Sequence, residues 1–204
     1  MRLHDGGRAP NPRRVQIFLK EKGIEIERLQ YDINALEQKS DAFTRLNPMQ
    51  TLPVLELDDG TAIAETVAIC RYFEALQPEP PLMGTTPLEK ALIEMWQRRI
   101  EIRFLLPVAY AFRHLHPGAL SIEPVQVADW GRMNQSRARD FMAILDTELK
   151  SRAHVAGAAF SIADITCYVA CRFLKPAQLA IAEEHTALRD WLERVSARPS
   201  TRYD

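Results

Sequence analysis

Cysteine is scarce in this chain of 204 residues, and the three that occur are Cys70, Cys167 and Cys171. The odd number and the lack of a Cys-x-x-Cys pair argue against a disulfide framework, a zinc site and a dithiol redox centre. Cys167 and Cys171 stand four residues apart in an apolar segment, so they share one face of a helix. We interpret them as small buried hydrophobic residues.

Long apolar runs are also missing. No stretch approaches the roughly 18 apolar residues that a membrane span needs, and the first seven residues contain no apolar run of signal-peptide length. The formal charge of −1 gives no overall positive field to attract nucleic acid or acidic membranes. The sequence therefore predicts a cytoplasmic protein with no nucleic-acid partner, no membrane partner and no metal.

One strong linker signal divides the chain. It is the proline-rich stretch at residues 77–81, because prolines at this density end regular structure. Short strand patterns alternate with helices before it, and every periodic segment after it is helical. We predict an α/β domain over residues 1–77, a linker over 78–87 and an all-helical domain over 88–204.

The first helix has recognisable ends. Asn11 is a preferred N-cap residue and Pro12 fits the first helical position. Gly23 is predicted to end the helix in the left-handed conformation. A strand over residues 24–31 follows, with Ile24 and Ile26 on one face.

The second half of this domain is predicted to be a hairpin followed by a helix. Residues 52–57 and 61–64 have strand patterns, and the turn Asp58-Asp59-Gly60 separates them. Pro53, near the start of the first strand, indicates either an edge strand or a special backbone geometry. The helix is predicted over residues 66–76.

Four helices are predicted beyond the linker. One runs from residue 88 to about 115, and another from about 124 to 151. A third begins at Ser161, which forms an acidic variant of the capping box with Asp164. The last contains an apolar stripe at residues 188–195.

Four stretches, taken in order, resemble the soluble glutathione transferases over nearly the whole chain. Residues 47–55 resemble the family's segment ending in a cis-proline, and residues 59–69 resemble its acidic-hydroxyl motif at a helix start. Residues 155–165 look like its buried capping box, and residues 188–199 look like its last helix. The resemblance implies a thioredoxin-like N-terminal domain, an all-α C-terminal helical bundle, glutathione as co-substrate and a homodimer.

The resemblance also implies a glutathione site. A cis peptide before Pro53 would turn the main chain of Leu52 outward to pair with the cysteine residue of glutathione. Considered alone, this dipeptide favours an edge-strand proline that merely ends pairing, since only ~5–6% of X–Pro bonds in folded proteins are cis, and the resemblance reverses that order. Thr66 and the helix start would hold the γ-glutamyl carboxylate, and Glu65 would take the amino group. The alternative is a plain helix N-terminus with an acidic residue.

Asn11 is the residue to which we assign the chemistry. Many family members carry a hydroxyl or thiol near this point, whereas this chain has Ala9. The proline followed by asparagine looks closest to the bacterial subgroup called Nu, in which an asparagine lies next to the thiol. Asn11 would stabilise the thiolate electrostatically, because an amide donates hydrogen bonds but cannot act as a general base. The alternative role is helix capping alone, and the two roles are compatible.

Other polar residues receive weaker assignments. The resemblance places Gln38 at the glycine end of glutathione, and Arg132 near a ligand carboxylate, across a dimer. From residue type alone, both are solvated surface residues. Arg13 and Arg14 are interpreted as a solvated helical face that adds positive potential near the thiol.

These features predict a glutathione S-transferase of the detoxification type. It would stabilise the thiolate of glutathione for attack on a small hydrophobic electrophile or a disulfide. Conjugation, glutathione-dependent peroxidase activity and disulfide-bond reductase activity all remain open. The alternative, favoured by the missing hydroxyl at Ala9, is a non-catalytic glutathione-transferase-like module for interaction or regulation.

Overall fold

A computed structural model of the chain describes residues 1–202. It divides into two compact units, and the division falls between Pro80 and Pro81. This point lies inside the proline-rich stretch that interrupts the sequence pattern. The first unit contains the sheet, and the second is helical.

The first unit has a four-stranded sheet in the order β2-β1-β3-β4. Strand β1 is parallel to β2, and β3 is antiparallel to both β1 and β4. This arrangement confirms the predicted thioredoxin-like fold class. Its elements are β1 (Arg2–Asp5), α1 (Pro10–Lys22), β2 (Glu27–Gln30), a 3₁₀ helix (Glu37–Lys39), α2 (Asp41–Leu46), β3 (Val54–Glu56), β4 (Ala62–Ala64) and α3 (Thr66–Leu76).

Helix α1 begins earlier than predicted. Its N-cap is Ala9, no side chain caps it, and Pro10 is its first residue. The prediction that Asn11 caps the helix is therefore wrong. Both Pro10 and Pro12 fit the first turn, where a fixed φ suits the helix and a missing N–H leaves no intrahelical bond unmade. Gly23 ends the helix as predicted, with φ 65° and an N–H that donates to carbonyls of the last turn.

The hairpin of β3 and β4 and the helix α3 are confirmed. Strand β2 is shorter than predicted, covering Glu27–Gln30 within the predicted 24–31. Because β3 lies between β1 and β4, Pro53 does not mark an edge strand. The alternative, a special backbone geometry, is confirmed by the cis peptide bond between Leu52 and Pro53.

A buried ammonium group holds the proline-rich stretch against the end of α1. The Lys22 side chain is fully buried, and its Nζ forms an ion pair of 2.5 Å with Glu74. The same Nζ donates hydrogen bonds to the carbonyl oxygens of Gln77, Pro78 and Pro80, at 2.8, 3.0 and 2.7 Å. Within the first unit, residues 77–80 are thus tied to helix α1.

A second polar cluster joins β1 to β3. The Glu56 carboxylate accepts hydrogen bonds of 2.8 and 3.0 Å from the Arg2 guanidinium. It also lies 2.8 Å from Nε2 of His4, whose Nδ1 is 2.9 Å from the Tyr31 hydroxyl. These hydrogen bonds, with that from Arg2 the strongest, lower the pKa of Glu56 from 4.5 to about 2.

The Glu56 cluster predicts a component of stability that acid removes. A carboxyl whose pKa is lowered on folding stabilises the protein above its unfolded pKa, and this contribution disappears as the pH falls through its folded pKa. We expect Glu56→Gln to be less stable than the wild type near neutral pH, and the difference to shrink between about pH 4.5 and 2. Urea unfolding at several pH values measures it, with the exposed Glu25→Gln as control. A difference that stays constant with pH would contradict the assignment.

Over its described residues the second unit has helices as its regular elements, as predicted, and one isolated antiparallel β-bridge between His154 and Gly157. The predicted helix at residues 88–115 is observed as two α-helices that a short π-helical segment joins without a break. None of the helices within residues 1–202 is both long and apolar enough to cross a bilayer. The elements are α4 (Pro87–Ile100), the π-helical segment (Glu101–Leu105), α5 (Leu106–Leu115), a 3₁₀ helix (Pro117–Ala119), α6 (Ala128–Leu149), α7 (Ile162–Arg172), α8 (Thr186–Ser196) and a 3₁₀ helix (Pro199–Thr201).

The predicted capping box at the start of α7 is confirmed. One carboxylate oxygen of the buried Asp164 accepts hydrogen bonds from the N–H and the hydroxyl of Ser161, at 3.0 and 3.1 Å. The other accepts from the N–H of Val155 at 2.9 Å and from the indole N–H of Trp191 at 3.0 Å. Asp164 therefore joins the helix start, the preceding loop and the last helix.

The cysteines are buried, as the sequence indicated. Cys167 and Cys171 are 0% and 7% exposed in α7, and Cys70 is 1% exposed in α3. Burial raises the pKa of the Cys70 thiol to about 12. Burial also raises the pKa of the Cys167 thiol, and its hydrogen bond with Cys171 adds to the rise. The thiols of Cys70 and Cys167 therefore stay protonated, and all three cysteines act as buried packing groups.

Candidate functional site

One end of the sheet brings together the predicted ligand-binding segments of the first unit. Val54 pairs with Ala64 in the hairpin, so residues 52–53 before β3 and residues 65–66 after β4 lie at the same end. Strand β1 is antiparallel to β3 and ends there too, and its following loop leads into α1. Strand β2 is parallel to β1, so the segment that carries Gln38 also departs from this end.

Leu52 presents its main chain while its side chain is anchored. The side chain is 9% exposed and belongs to an apolar cluster with Phe43 and Val54. Neither the N–H nor the C=O of Leu52 has a hydrogen-bond partner among residues 1–202. The residue precedes the cis bond to Pro53. An extended peptide could therefore add to this position through main-chain hydrogen bonds.

Glu65 occupies a backbone conformation that side chains rarely adopt. Its φ is 69° and its ψ 120°, and it is the N-cap of α3 without a side-chain capping bond. Such a conformation costs about 1–3 kcal/mol and is typical of ligand sites. The carboxylate is exposed to solvent. As the N-cap residue, Glu65 lies beside the N-terminus of α3, which is the positive end of the helix dipole.

The start of α3 offers unpaired hydrogen-bond donors. Over the described residues, neither the hydroxyl of the buried Thr66 nor the main-chain N–H groups of Thr66 and Val67 have a partner. Donors at a helix N-terminus form a site for a carboxylate or another anion. Together with the Glu65 carboxylate, they complement the adjacent ammonium and carboxylate groups of an amino acid.

The start of α1 offers fewer main-chain donors than an ordinary helix. Pro10 and Pro12 have no N–H, and the N–H of Arg13 is bonded to a carbonyl before the helix. In the described chain, Asn11 therefore supplies the one free main-chain N–H of this first turn. Its exposed side chain adds an amide, whose Oδ1 accepts a hydrogen bond of 3.1 Å from Arg14.

The two arginines after Asn11 are buried, so their interpretation as a solvated face is wrong. Arg13 is 3% exposed and Arg14 is 2% exposed. Arg13 donates to the Gln16 side chain at 3.1 Å. Gln16 in turn donates to the Asp5 carboxylate and to the Gly7 carbonyl, at 2.9 Å each. This network supports the loop between β1 and α1.

Gln38 is also buried, although its residue type indicated a surface position. It is 6% exposed, and its Oε1 is a buried atom with no hydrogen-bond partner among the described residues. Leaving such an atom unpaired costs about 1–3 kcal/mol. A ligand with a hydrogen-bond donor would remove this cost, so the position fits a role in binding.

Arg132 behaves as an ordinary surface residue of the second unit. Its side chain is 62% exposed, and its guanidinium pairs with Asp129 one turn earlier in α6. The described contacts of this unit give it no further polar partner. The structure therefore agrees with the surface interpretation and supplies no contact that supports the predicted ligand role.

The contact between Arg14 and Asn11 was missed in the sequence, although two signals point to it. Asn11 and Arg14 are three residues apart, so they lie on one helical face and can form a hydrogen bond. The prolines on both sides of Asn11 indicate that few main-chain donors remain at this helix start. Nothing in the sequence pattern around Arg14 indicates that its side chain is buried.

Family models match both halves of the chain. "Glutathione S-transferase, N-terminal domain" matches residues 9–76, and "Glutathione S-transferase, C-terminal domain" matches residues 128–194. The chain is 40% identical to Glutathione S-transferase 2 of Saccharomyces cerevisiae, over 99% of this chain and 88% of that protein. The chain belongs to the glutathione S-transferase family. Most of the predicted site residues of this glutathione S-transferase lie within the matched N-terminal region: Asn11, Gln38, Leu52, Pro53, Glu65 and Thr66.

Solved structures of other glutathione S-transferases have the same fold. The crystal structure of Gtt2 from S. cerevisiae aligns with a TM-score of 0.94 at 40% identity, covering 98% of each chain. A glutathione S-transferase of class Gtt2 from Vibrio parahaemolyticus aligns with a TM-score of 0.87 at 35% identity, covering 99% of this chain and 96% of that one. The predicted family and fold are confirmed, and the likeness to the Nu subgroup stays a prediction.

Proposed function

We propose that this chain is a glutathione S-transferase that binds glutathione at the sheet end of its first unit. The proposal rests on three groups at this end of the sheet that have no hydrogen-bond partner within the described residues. They are the main chain of Leu52, the helix start at Glu65 and Thr66, and the buried Oε1 of Gln38. A tripeptide with a free amino group and two carboxylates matches these features in turn.

Each part of the tripeptide has a proposed partner. Leu52 pairs with the cysteine residue through its main-chain N–H and C=O. Thr66 and the N–H groups of the helix start hold the γ-glutamyl carboxylate, while Glu65 binds the neighbouring ammonium group. Gln38 contacts the glycine end, where its Oε1 accepts a hydrogen bond from the glycine amide N–H. Pro53, through the cis bond, is part of the Leu52 segment that receives the ligand.

Asn11 is the proposed catalytic residue. A free thiol titrates near ~8.5, and the thiolate is the nucleophile. The side-chain amide and the main-chain N–H of Asn11 donate hydrogen bonds to the sulfur, which lowers the pKa of the thiol. The thiol proton passes to solvent, because an amide cannot accept it. The thiolate then attacks an electrophilic carbon and displaces a leaving group, or attacks a disulfide and releases a thiolate.

Binding to immobilised glutathione tests the proposal. We expect the protein to be retained and to elute with free glutathione, and calorimetry to give a dissociation constant at or below millimolar. Absence of binding at millimolar glutathione would overturn the proposal. An aryl halide, a hydroperoxide and a glutathione mixed disulfide then distinguish the reaction types. Binding without turnover of any of them favours the alternative, a non-catalytic binding module.

Asn11→Ala should reduce turnover and leave binding nearly intact. The hydrogen bond to a charged sulfur is worth about 1.5–3 kcal/mol, so we expect kcat to fall about 10-fold or more. The dissociation constant of glutathione should change less than about threefold, because neutral thiol gains little from the amide. Steady-state kinetics and calorimetry measure both quantities, with the exposed Asn34→Ala as control. A collapse of affinity with unchanged turnover of the bound enzyme would make Asn11 a binding residue instead.

We also propose that the protein forms a homodimer. Leu88 and Leu92, one turn apart on α4, are 69% and 39% exposed and form an apolar face on the second unit. Burying such a face stabilises an association. Arg132 would then meet a ligand carboxylate across the dimer. A monomeric mass in sedimentation velocity would contradict this proposal, and the predicted cytoplasmic location stays a prediction.

A further inference from the structure

The side-chain amide of Asn11 accepts a hydrogen bond from a buried cation. Arg14 Nη1 donates a hydrogen bond of 3.1 Å to Asn11 Oδ1. Arg14 is 2% exposed, whereas Asn11 is exposed. One end of the hydrogen bond is therefore fixed in the protein interior, and the other end belongs to a side chain that solvent or a ligand can reach.

The chemistry of the two groups decides which way the amide faces. A guanidinium has N–H donors and no acceptor, so only the oxygen of the amide can face it. The nitrogen of the same planar amide must then point away from Arg14. Its two hydrogens have no partner among residues 1–202. The Arg14 contact thus fixes the amide with its donors outward.

Orientation matters because the two ends of an amide have similar size and opposite polarity. An exposed asparagine without such a contact can turn either end toward a bound group. The oxygen would repel a thiolate, and the nitrogen would stabilise it. No other side-chain contact is needed to distinguish the two orientations, since a charged donor at Oδ1 excludes the unfavourable one.

We propose that Arg14 is a positioning residue that directs the Asn11 NH₂ group toward the thiol of the bound co-substrate. The inference rests on the proposed function, because it assigns a role within the same site. Arg14 acts through Asn11 and does not itself contact the sulfur. Its neighbour Arg13, bonded to Gln16, supports the preceding loop instead.

A double-mutant cycle tests this role through the pKa of the bound thiol. The thiolate absorbance of glutathione bound to each protein is titrated for the wild type, Arg14→Met, Asn11→Ala and the double variant. We expect each single substitution to raise the thiol pKa by about one unit, as the loss of a hydrogen bond to a charged group predicts. The double variant should match Asn11→Ala, because Arg14 has no effect once the amide is gone.

Two results would overturn the proposal. An unchanged thiol pKa in Arg14→Met would show that the amide orients itself without Arg14. A further rise in the double variant would show that the guanidinium charge acts directly on the sulfur. Lys22→Met is the matched control, since it removes another fully buried cation from the same helix. We expect it to lower stability while leaving the thiol pKa unchanged.

A measurement on the unaltered protein covers the case in which Arg14→Met does not fold. The two Asn11 side-chain N–H signals are assigned in a nitrogen-15 spectrum by their absence from Asn11→Ala. Glutathione should move one of them strongly above the thiol pKa, and S-methylglutathione, which has no ionisable thiol, should move it much less. Equal effects of the two ligands would overturn the inference together with the catalytic role proposed for Asn11, while the glutathione site itself would stand. Failure of glutathione to bind the wild type at all would overturn the proposed function with it.

Discussion

Asp164→Ala should lower the free energy of unfolding by about 4 kcal/mol, the largest effect that we expect from a single substitution. The carboxylate accepts four hydrogen bonds in the interior, from Ser161, Val155 and Trp191. Its removal leaves several buried donors unpaired, and each costs about 1–3 kcal/mol. Partial relaxation around the cavity keeps the total loss below the sum of these separate costs.

Urea unfolding followed by circular dichroism measures this loss. Asp140→Ala is the matched control, since it removes an exposed carboxylate from a helix of the same unit. Exposed substitutions usually change stability by less than about 0.5 kcal/mol. A loss below about 1 kcal/mol for Asp164→Ala would show that water or another group replaces the carboxylate, and that the capping box does not hold this part of the unit together.

Glu65→Gln should weaken glutathione binding about 30-fold without a matching loss of stability. The substitution keeps the size of the side chain and the strained backbone at φ 69° but removes the negative charge. A hydrogen bond between a carboxylate and an ammonium group is worth about 1.5–3 kcal/mol, which corresponds to roughly 10- to 100-fold in affinity. The exposed carboxylate has no ion pair within the described chain, so folding loses little.

Titration calorimetry with glutathione measures the change, and thermal unfolding checks the stability. Glu79→Gln is a suitable control, because it neutralises another exposed carboxylate of the first unit. An unchanged affinity would place the ammonium group of glutathione elsewhere. It would also leave the backbone strain at Glu65 without a functional explanation.

Features with local causes were predicted well from the sequence. The hairpin follows from two alternating segments around a turn, and the capping box from Ser161 and Asp164 at a fixed spacing. Helix α3 has the predicted bounds because both ends are marked in the sequence. A strand pattern ends just before it, and the proline-rich stretch begins just after it. The cis bond before Pro53 was predicted from the resemblance, since the dipeptide alone favours an edge-strand proline.

Features that depend on tertiary surroundings were not predicted. Arg14 and Gln38 are long polar side chains, and their residue types indicate exposure. Both are buried in the folded chain, at 2% and 6% exposed, and burial by residues distant in the sequence leaves no local pattern. The N-cap of α1 was misplaced for a different reason. Asn11 is a good capping residue, but Pro10 can already occupy the first helical turn, and the helix therefore begins before the asparagine.

The absence of a hydroxyl at Ala9 changes the chemistry that the proposed site can perform. A hydroxyl can exchange a proton with the sulfur, whereas the Asn11 amide only donates hydrogen bonds. The rate should therefore follow the ionisation of the bound thiol itself. The orientation of one amide group becomes the main variable that the protein controls, and Arg14 is the group that sets it.

The Lys22 ammonium has a consequence for how the chain resists digestion. Proline-rich stretches between compact units are usual sites of proteolytic nicking. Residues 77–80 are exposed to solvent in this protein, but the Lys22 ammonium holds their main chain through three carbonyl oxygens, and this stretch must detach from the end of α1 before a protease can bind it as an extended chain. The segment that most resembles a cleavable connector in the sequence should therefore survive brief exposure to protease, and should be cut readily once Lys22 is replaced.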